Sequence, residues 1–364
     1  MSRTVHVDLR ERGYDIRIGC DLDPAALLGE QRGLRALVIT DSNVDPLYGP
    51  ACEEKLRARG IAVRRAVVPA GEPSKSLESA KRLYAAALEA ELDRDAVIVA
   101  LGGGMVGDLA GFVAATFLRG IRFIQVPTTL LAMVDSSIGG KTGVDLEQGK
   151  NLVGAFHQPG GVAADLTTLG TLPEREYASG LAEVVKYGVI WDARFFGRLE
   201  ANASKLRNRD REFLEEVVAR CCEIKAEIVA VDERESGVRA ILNFGHTFAH
   251  ALEQTSGYSR WLHGEAVAAG MVYAAELSTM EKGFPAEDAR RLAALLAQLG
   301  LAVERGGSRF GGPWAALRRA MDTDKKSRMG APRFVLAERL GAVILGCEVA
   351  EAAQAEAFAR CGRT

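Results

Sequence analysis

Hydrophobic and polar residues follow two different periods along the chain. In the first half, two short runs show the two-residue alternation of strands, and the runs that follow are apolar and rich in β-branched residues. Helical segments such as residues 78–92 lie between these runs. The strand-like runs begin at Thr4, Tyr14, Ala36, Ile61, Asp95 and Ile121. Buried strands that alternate with helices are typical of a parallel α/β sheet, which is the fold predicted for this half.

After about residue 172 the hydrophobic period lengthens to about 3.6 residues, and β-branched runs become rare. This second half is predicted to be all-helical. Pro173 interrupts the chain where the pattern changes, so we predict an α/β domain over residues 1–172 and a helical domain over residues 173–364. The glycine- and charge-rich stretch 304–313 is predicted to form a surface loop.

Composition and charge argue against several classes of protein. The 364 residues carry a net charge of −2 without a basic block, which argues against a nucleic-acid-binding protein. The six cysteines include no C-x-x-C pair, so a structural zinc knot is not expected, and sparse cysteine suits a reducing compartment. The sequence shows neither an apolar signal segment nor a long apolar run, so we expect a cytoplasmic protein that does not span a membrane.

A glycine-rich turn follows the fifth strand-like run. Gly102, Gly103 and Gly104 come after an apolar segment, and Gly107-Asp108 begin a predicted helix. Glycines at a strand-to-helix turn let a phosphate approach the backbone N–H groups at the positive end of the helix. The spacing differs from G-x-G-x-x-G, and the alternative interpretation is a tight turn that packs the helix closely on the sheet.

A second polar segment covers residues 127–145. It contains several hydroxyls, Asp135, a glycine pair and Lys141, and Lys150-Asn151 follow it. These side chains are of the types that bind phosphates and polyols. An ordinary polar loop does not account for so many Gly, Lys, Thr and Asp residues together, so we predict that this segment binds a ligand.

Three of the five histidines, His246, His250 and His263, fall close together in the helical half. His246 and His250 are four residues apart, which on a helix places both imidazoles on one face, as in the H-E-x-x-H metal motif. That motif is incomplete here, because residues 247–249 are Thr-Phe-Ala. A catalytic zinc needs three protein ligands, and two histidines with a carboxylate would suffice. The spacing leaves three candidates for the carboxylate, namely Glu183, Glu253 and Glu265.

Seven longer motifs together resemble the 3-dehydroquinate synthase family. They occur in the family's order over most of the chain and are GGGMVGDLAGFVAATFLRG, VPTTLLAMVDSSIGGKTGVD, GKNLVGAFHQP, TLPEREYASGLAEVVKYG, DERESGVRAILNFGHTFAHALE, LHGEAVAAGM and DKKSRMGAPRFVL. The resemblance implies a Rossmann-like NAD-binding α/β domain, an all-α metal-binding domain and an active site in the cleft between them. It also implies zinc, or cobalt in its place, bound by Glu183, His246 and His263.

The resemblance gives the two histidines of the i, i+4 pair different roles. His246 is implied to bind the metal, whereas His250 is implied to contact the phosphate end of the substrate and to transfer protons. The other implied substrate contacts are Lys141, Asn151, Lys186, Lys225, Arg239, Asn243 and Lys326. The implied NAD contacts are Asp41, Asn43, Glu72, Lys75, Gly102, Gly103, Gly104, Asp108, Thr128, Thr129, Asp135, Lys141 and Lys150. Arg119 is implied to reach the phosphate site of a neighbouring subunit, so a homodimer would be needed for activity.

The implied substrate is a sugar acid phosphate, 3-deoxy-D-arabino-heptulosonate 7-phosphate, and the implied product is the carbocycle 3-dehydroquinate. The resemblance implies that NAD⁺ transiently oxidises an alcohol, which makes the neighbouring proton acidic. It also implies that phosphate is then eliminated, the hydride is returned, and an intramolecular aldol reaction closes the ring. Zinc would polarise the reacting oxygen, and the cationic side chains would stabilise negative charge on the phosphate and the enolate.

Three other functions share part of this pattern. A sibling sugar phosphate cyclase would form a valiolone- or inosose-type ring, but Arg239, Asn243, His250 and the lysines of the DKK motif keep the dehydroquinate pattern. A metal-dependent polyol dehydrogenase would release NADH, and its turn motifs differ from VDSSIGGKTGVD. A non-catalytic NAD-binding protein would lack a metal or acid/base residue, and each such position is filled here. Ala249 stands where the family commonly has glycine, and we expect activity to survive this change.

Overall fold

The computed structural model describes residues 2–29, 33–301, 313–322 and 332–361, which pack as two compact units. The α/β unit comprises Met1–Leu172 and Leu214–Arg234, and the helical unit comprises Pro173–Phe213 and Glu235–Thr364. The sequence predicts a single boundary after residue 172, yet the segment Leu214–Arg234 packs with the α/β unit. The predicted surface loop 304–313 lies outside the described residues except for its last position.

The α/β unit is built on a mainly parallel sheet, as the sequence predicts. Its strands in the described ranges are β1 (Arg3–Val7), β2 (Tyr14–Gly19), β3 (Arg35–Asp41), β4 (Ala62–Val68), β5 (Val97–Gly102), β6 (Arg122–Pro127), β7 (Lys141–Leu146), β8 (Gly149–Phe156) and β9 (Val162–Asp165). Seven of them form one sheet in the order β1-β2-β9-β6-β5-β3-β4. Strand β1 runs antiparallel to β2, and the other neighbouring pairs are parallel.

Both faces of the sheet are covered by helices, which are α1 (Asp45–Ala58), α2 (Leu77–Glu89) and α3 (Gly104–Thr116). Consecutive residues of β3 point to opposite faces. Leu37 and Ile39 pack in one core with residues of α2 and α3, whereas Ala36 and Val38 pack in the other core with residues of α1. A strand buried on both faces needs a continuous apolar run, and this requirement explains the composition of the central strands.

The order of the strands reverses between β3 and β5. From β3 the chain continues outward to β4, and from β5 it continues in the opposite direction to β6. In open α/β sheets, ligands bind beside the carboxyl ends of the strands at such a reversal. Asp41 ends β3 and Gly102 ends β5. The glycine-rich turn therefore lies at the position where the topology favours ligand binding.

The predicted ligand-binding segment, residues 127–145, runs into a hairpin that the sequence pattern does not reveal. Strands β7 and β8 pair antiparallel with each other and stand apart from the main sheet. Glycine permits the close pairing, because a Cβ at Gly143 would lie 2.7 Å from the Val153 carbonyl oxygen. The hairpin begins at Lys141 and carries Lys150 and Asn151 at the start of its second strand.

Helices dominate the second part of the chain, and no helix in the described ranges combines the length and apolarity needed to cross a bilayer. The predicted helical class of this part is confirmed, and the structure adds one antiparallel hairpin, formed by β10 (Phe334–Arg339) and β11 (Ala342–Cys347), that the sequence pattern did not indicate. Its signals are the β-branched residues on both sides of Gly341, which turns the chain with φ +81°. The helices are α4 (Glu174–Ile190), α5 (Ala193–Ala201), α6 (Ala203–Arg207), α7 (Arg211–Val231), α8 (His246–Thr255), α9 (His263–Lys282), α10 (Ala286–Gln298), α11 (Trp314–Asp322) and α12 (Glu351–Cys361).

Polar contacts of helix α7 explain why most of it belongs to the α/β unit. Lys225 Nζ donates to the Asp135 carbonyl oxygen at 2.6 Å, and the Cys222 thiol donates to the Met133 carbonyl oxygen at 3.5 Å. Just beyond the helix, the Glu233 carboxylate accepts two hydrogen bonds from Arg12, at 2.6 and 2.8 Å. The helical period alone identifies the helix but not the unit against which it packs.

Helices α4, α8 and α9 approach one another through glycine residues. A Cβ at Gly264 would lie 1.8 Å from the Ser179 carbonyl oxygen, and a Cβ at Gly270 would lie 2.0 Å from the Gly245 carbonyl oxygen. Neither position has room for a side chain, so the backbones pack this closely only because glycine lacks a Cβ. Gly245 also turns the chain into α8 with φ +82°, in the left-handed region that glycine adopts readily.

Replacing Gly270 by alanine should destabilise the helical unit, because α8 and α9 would have to separate to accommodate the methyl group. We expect the free energy of unfolding to fall by roughly 1–3 kcal/mol, which exceeds the gain of about 1 kcal/mol that alanine brings to a helix. Urea unfolding with excess chelator, followed by circular dichroism, measures the change.

Gly197→Ala is the matched control for this experiment. Gly197 lies inside α5, and no atom falls within 4 Å of the Cβ that alanine would add. This variant should be more stable than the parent by about 0.5–1 kcal/mol. Equal effects of the two substitutions would contradict the role assigned to the close helix approach.

Candidate functional site

Three helices bring one carboxylate and two imidazoles together in the helical unit. Glu183 is fully buried in α4, and His246 and His263 are the first residues of α8 and α9. His246 Nε2 lies 3.6 Å from Glu183 Oε1, and His263 Nε2 lies 3.3 Å from the same oxygen. One nitrogen or oxygen atom from each residue lies within 4.8 Å of the other two. We refer to Glu183, His246 and His263 as the ligand cluster.

The dimensions of the ligand cluster fit a single zinc ion. Zinc bonds of about 2.1 Å at tetrahedral angles place neighbouring ligand atoms about 3.4 Å apart. The Nδ1 atoms have other contacts, because His246 Nδ1 lies 3.2 Å from the Phe244 carbonyl oxygen and His263 Nδ1 lies 3.2 Å from Glu253 Oε1. The two Nε2 atoms are therefore the ones that face Glu183. Two imidazoles and one carboxylate form a known ligand set of catalytic zinc, which keeps a further position for water or substrate.

Charged groups surround the Glu183 carboxylate. Lys186, one helical turn further along α4, forms an ion pair with Glu183 and is itself buried. Burial alone would lower the pKa of the His263 imidazole, but hydrogen bonds to Glu183 and Glu253 raise this pKa to about 10. Because metals bind deprotonated ligands, a divalent cation in this position would replace the proton that His263 shares with the carboxylates.

His250 lies beside the ligand cluster without belonging to it. Its ring meets the His246 ring edge-on, with centroids 5.6 Å apart and an interplanar angle of 87°. The side chain is half-buried. The i, i+4 spacing therefore brings the two rings into contact, as the helix predicts, whereas the residues that converge with His246 are Glu183 and His263.

The three candidate carboxylates occupy different places. Glu183 lies in the ligand cluster. Glu253 contacts the far side of the His263 ring, at Nδ1. Glu265 forms two hydrogen bonds of 2.7 Å with Arg175 and accepts a third, of 3.0 Å, from the Leu262 N–H at the start of α9. The structure thus distinguishes residues that sequence spacing left equivalent.

Glu235 is a contact of the predicted site that the sequence analysis does not identify. The Asn243 side-chain amide donates to Glu235 Oε1 at 2.7 Å. Glu235 has φ +57°, a left-handed conformation that is uncommon outside glycine and often marks functional sites. An acidic residue in the charged stretch DERES is typical of a solvated surface, so the sequence offers no signal that separates it from its neighbours. Arg239, which is also predicted to contact substrate, is buried in the same unit.

In the α/β unit, Lys75 connects residues from several predicted binding segments. Lys75 Nζ lies 2.5 Å from Asp108 Oδ2 and 2.5 Å from Asn151 Oδ1. Burial lowers the pKa of the Lys75 ammonium, but the nearby carboxylates of Asp108 and Glu72 outweigh this effect and raise it. Lys150 completes the network with an ion pair of 3.1 Å to Glu72. Asn151, predicted to contact substrate, therefore lies among residues predicted to contact NAD.

Asp145, in the α/β unit, is a second residue that the sequence analysis does not identify. Its carboxylate accepts a hydrogen bond of 2.8 Å from the Asn151 N–H, and its own N–H donates to the Lys75 carbonyl oxygen at 2.8 Å. Asn151 has φ +54°, so the Asp145 contact helps to hold a backbone conformation that few non-glycine residues adopt. The pairing of β7 with β8 brings these residues together.

Close packing accounts for two glycines of the glycine-rich turn. A Cβ at Gly102 would lie 2.7 Å from the Val106 side chain, and a Cβ at Gly104 would lie 2.9 Å from Ser136 Oγ. The third glycine, Gly103, is the N-cap of α3 and provides no capping side chain. The first N–H groups of α3 are therefore not capped by the turn, which suits an anion at this helix end.

The remaining residues at the sheet edge are tied to the backbone. The Asp41 carboxylate accepts hydrogen bonds from the N–H groups of Asn43 at 2.8 Å and Val44 at 3.1 Å, and so closes the turn after β3. The Thr128 N–H donates to the Gly102 carbonyl oxygen at 3.0 Å. Thr129 Oγ1 accepts from the Ala132 N–H at 3.1 Å. These contacts place all four predicted NAD residues at the ends of β3 and β6, next to β5.

Five further predicted residues are Lys225, Asp135, Lys141, Arg119 and Lys326. Lys225 pairs with the Asp135 carboxylate at 2.5 Å, which joins a predicted substrate contact to a predicted NAD contact. Lys141 is exposed at the beginning of β7. Arg119 is exposed just after α3, with φ +69°. Lys326 lies outside the described residues.

The sequence matches a known protein family over most of its length. Residues 65–179 match the family described as 3-dehydroquinate synthase N-terminal, and residues 180–327 match 3-dehydroquinate synthase C-terminal. A 3-dehydroquinate synthase from Desulforamulus reducens is 51% identical over 352 residues, which cover 96% of this chain and 97% of that protein.

Solved structures of related cyclases share the fold over nearly the whole chain. A 2-epi-5-epi-valiolone synthase from Streptomyces hygroscopicus, with NAD⁺ and Zn²⁺ bound, superposes with a TM-score of 0.87 at 26% identity, covering 96% of each chain. A 2-deoxy-scyllo-inosose synthase complexed with carbaglucose-6-phosphate, NAD⁺ and Co²⁺ gives 0.88 at 25% identity, covering 98% and 99%. With two matching family domains and a 51% identical relative of nearly equal length, this chain belongs to the 3-dehydroquinate synthase family.

Proposed function

We propose that this protein is a 3-dehydroquinate synthase, which converts 3-deoxy-D-arabino-heptulosonate 7-phosphate into 3-dehydroquinate and inorganic phosphate. The observation that carries the proposal is the convergence of Glu183, His246 and His263 in a member of this family. Loss of any one of these side chains would leave fewer than the three protein ligands that a catalytic zinc requires.

The ligand cluster would hold the metal, zinc or cobalt, and the carboxyl edge of the sheet in the α/β unit would hold NAD. When bound, the metal supplies a Lewis acid at an alcohol or ketone oxygen, and the cofactor supplies a reversible hydride acceptor. The uncapped start of α3, beside the strand-order reversal, is suited to the pyrophosphate of the dinucleotide. The Lys75 network holds Asp108 and Asn151 in fixed positions near this region.

Cationic and amide side chains would bind the ends of the substrate. In the helical unit, Arg239 offers a planar, bidentate donor that matches a carboxylate, and Asn243 is oriented by its hydrogen bond to Glu235. In the α/β unit, Lys225 is held by Asp135, and Lys141 is exposed as a point charge suited to phosphate. Such fixed donors stabilise negative charge as it develops during elimination.

His250 would relay protons at the phosphate end of the substrate. It is half-buried and contacts the His246 ring, so it lies near the ligand cluster while its nitrogens remain outside the group that converges on Glu183. A neutral imidazole can accept and return a proton near neutral pH. This role requires His250 to matter for turnover and not for metal binding.

A homodimer is part of the proposal, with Arg119 reaching the neighbouring site. Leu118, Arg119 and Gly120 have φ values of +50°, +69° and +119° in succession. Left-handed conformations cost non-glycine residues of order 1 kcal/mol each, and such strain clusters at functional sites. Leu118 is also 40% exposed, and the outward face of β8 adds Leu152 at 46% and Phe156 at 43%. Covering these apolar side chains with a second copy would bury them and would give the strained turn a function.

The proposal places the reaction in the cytoplasm. All six cysteines lie in the described ranges, and none forms a disulfide. Burial raises the pKa of the Cys52 and Cys222 thiols to about 12, so these two are packing residues that resist oxidation. Cysteines that form no disulfide are typical of proteins in a reducing compartment.

A sibling cyclase is the second candidate, because the two solved cyclases share the fold closely. Purified protein with NAD⁺, zinc and the heptulosonate phosphate should release phosphate and form 3-dehydroquinate, detected by mass, without build-up of NADH absorbance. Accumulating NADH would instead indicate a polyol dehydrogenase. Turnover confined to other sugar phosphates, tested in parallel, would assign a sibling ring product.

His250→Ala should separate proton transfer from metal binding. We expect this variant to keep about one zinc per chain and to lose roughly 10²–10⁴-fold in turnover, the usual contribution of a general acid or base. His246→Ala, the matched change one helical turn earlier, should lose the metal as well as the activity. Metal analysis by mass spectrometry, paired with the phosphate-release assay, measures both; loss of zinc from His250→Ala would refute the division of roles.

Mixing two inactive variants tests whether Arg119 acts across a subunit interface. Arg119→Ala and His246→Ala should each be inactive as homodimers. A heterodimer would contain one site with both residues intact, so co-refolded mixtures should recover up to about half of the activity per dimer carrying both chains. Absence of any recovery in verified heterodimers would place Arg119 in the site of its own chain.

A further inference from the structure

We infer that Glu253 is a positioning residue for the metal, which holds the His263 ring so that Nε2 points toward Glu183. The inference rests on the proposed metal-dependent function. Sequence spacing leaves Glu253 as one of three possible carboxylate ligands. In the structure it contacts Nδ1 of His263, on the side of the ring that faces away from Glu183.

His263 lies between two carboxylates. Its Nε2 is 3.3 Å from Glu183 Oε1, and its Nδ1 is 3.2 Å from Glu253 Oε1. A hydrogen bond from Nδ1–H to Glu253 leaves the lone pair on Nε2, which is the tautomer that a metal ligand needs. The contact also fixes the rotation of the ring, because both nitrogens are then engaged on opposite edges.

Glu253 lies on the same face of α8 as the two histidines. His246, His250 and Glu253 occupy positions i, i+4 and i+7, which share one helical face. Helix α8 therefore supplies one ligand of the cluster and the side chain that orients the ligand on α9. Glu253 is buried, with 8% of its surface exposed, so its carboxylate is held by its surroundings instead of moving in solvent.

The two histidine ligands differ in the partner behind them. His246 Nδ1 contacts a neutral backbone carbonyl, that of Phe244, whereas His263 Nδ1 contacts the carboxylate of Glu253. A carboxylate behind an imidazole increases the basicity of the ligand nitrogen more than a carbonyl does. Removal of the Glu253 charge should therefore weaken metal binding even when the shape of the side chain is preserved.

The test compares Glu253→Gln with the parent protein and with Glu276→Gln. The glutamine keeps the size of the side chain and removes its charge. Glu276 is on the same helix as His263 but about 20 Å further along it, and its nearby polar contact is Thr279. Chelator-treated protein is titrated with zinc against a chromophoric chelator, and the visible spectrum of the cobalt-loaded protein is recorded. Circular dichroism of each metal-free variant checks that it is folded.

We expect Glu253→Gln to weaken zinc affinity by roughly 10–100-fold, the usual effect of losing such a partner, and Glu276→Gln to leave it unchanged. The cobalt spectrum of Glu253→Gln should keep its tetrahedral type, because all three ligands remain. Affinity within twofold of the parent, an equal loss in both variants, or a change of coordination type would each overturn the inference. Glu253→Ala is a second, larger deletion, and the glutamine variant decides the question if the alanine variant does not fold.

These measurements are independent of the cyclase reaction. If the parent protein binds zinc through the ligand cluster but forms no carbocycle, the proposed activity is wrong. The role of Glu253 is then still decided by comparing the zinc affinities of the parent and the variants. If the carbocycle forms and Glu253→Gln binds zinc as well as the parent does, the inference fails and the proposed activity stands.

Discussion

The close approach of α9 to α4 and α8 is the constraint on which the ligand cluster depends. The glycines that permit it are neighbours of the ligands in sequence: Gly264 follows His263, and Gly245 precedes His246. A Cβ at Gly264 would overlap the Ser179 carbonyl oxygen, one helical turn before Glu183, and a Cβ at Gly270 would overlap that of Gly245. Larger residues at these positions would push the helix starts apart, and ligand atoms now 3.3–3.6 Å from Glu183 would no longer converge. Packing and chemistry are therefore specified by the same short stretches of sequence.

In the α/β unit, a different feature of the fold positions the predicted NAD-binding residues. Reversal of the strand order beside β5 opens the edge at which the glycine-rich turn lies, and the tight packing of Gly102 and Gly104 sets the start of α3 against that edge. Lys75 then connects α3 to β8 through its contacts with Asp108 and Asn151. Topology determines the location, and the charged contacts around the buried Lys75 hold the side chains. Neither of these arrangements depends on the ligand cluster, whose three residues all belong to the helical unit.

Much of this architecture could be predicted from sequence, and the failures have physical causes. Alternation with period two identifies β1 and β2, apolar β-branched runs identify β3 to β6, and period 3.6 identifies the long helices, because these patterns arise from local geometry. The hairpins β7–β8 and β10–β11 are missed, since glycine and polar residues mask the alternation in the first and the second lies within a helical region. The packing of α7 on the α/β unit depends on contacts such as Lys225 with Asp135, which are distant in sequence.

The residues of the candidate site are also only partly predictable, because contacts between residues distant in sequence decide their roles. Residue types and the i, i+4 spacing correctly indicate that His246 and His250 share a face, but spacing alone favours both as ligands of one metal. The choice among Glu183, Glu253 and Glu265 depends on how α4 meets α9, and no local pattern records this. Asp145 and Glu235 escape detection because their importance lies in the left-handed conformations of Asn151 and of Glu235 itself, which the sequence does not display.

The most direct test of this account is a crystal structure of the zinc-loaded protein, with the metal located by anomalous scattering at the zinc edge. We expect one zinc ion about 2.0–2.2 Å from a Glu183 carboxylate oxygen and from Nε2 of both His246 and His263, with His250 outside the coordination shell. A zinc ion bound by His250, or one coordinated by Glu253 or Glu265 in place of Glu183, would contradict it.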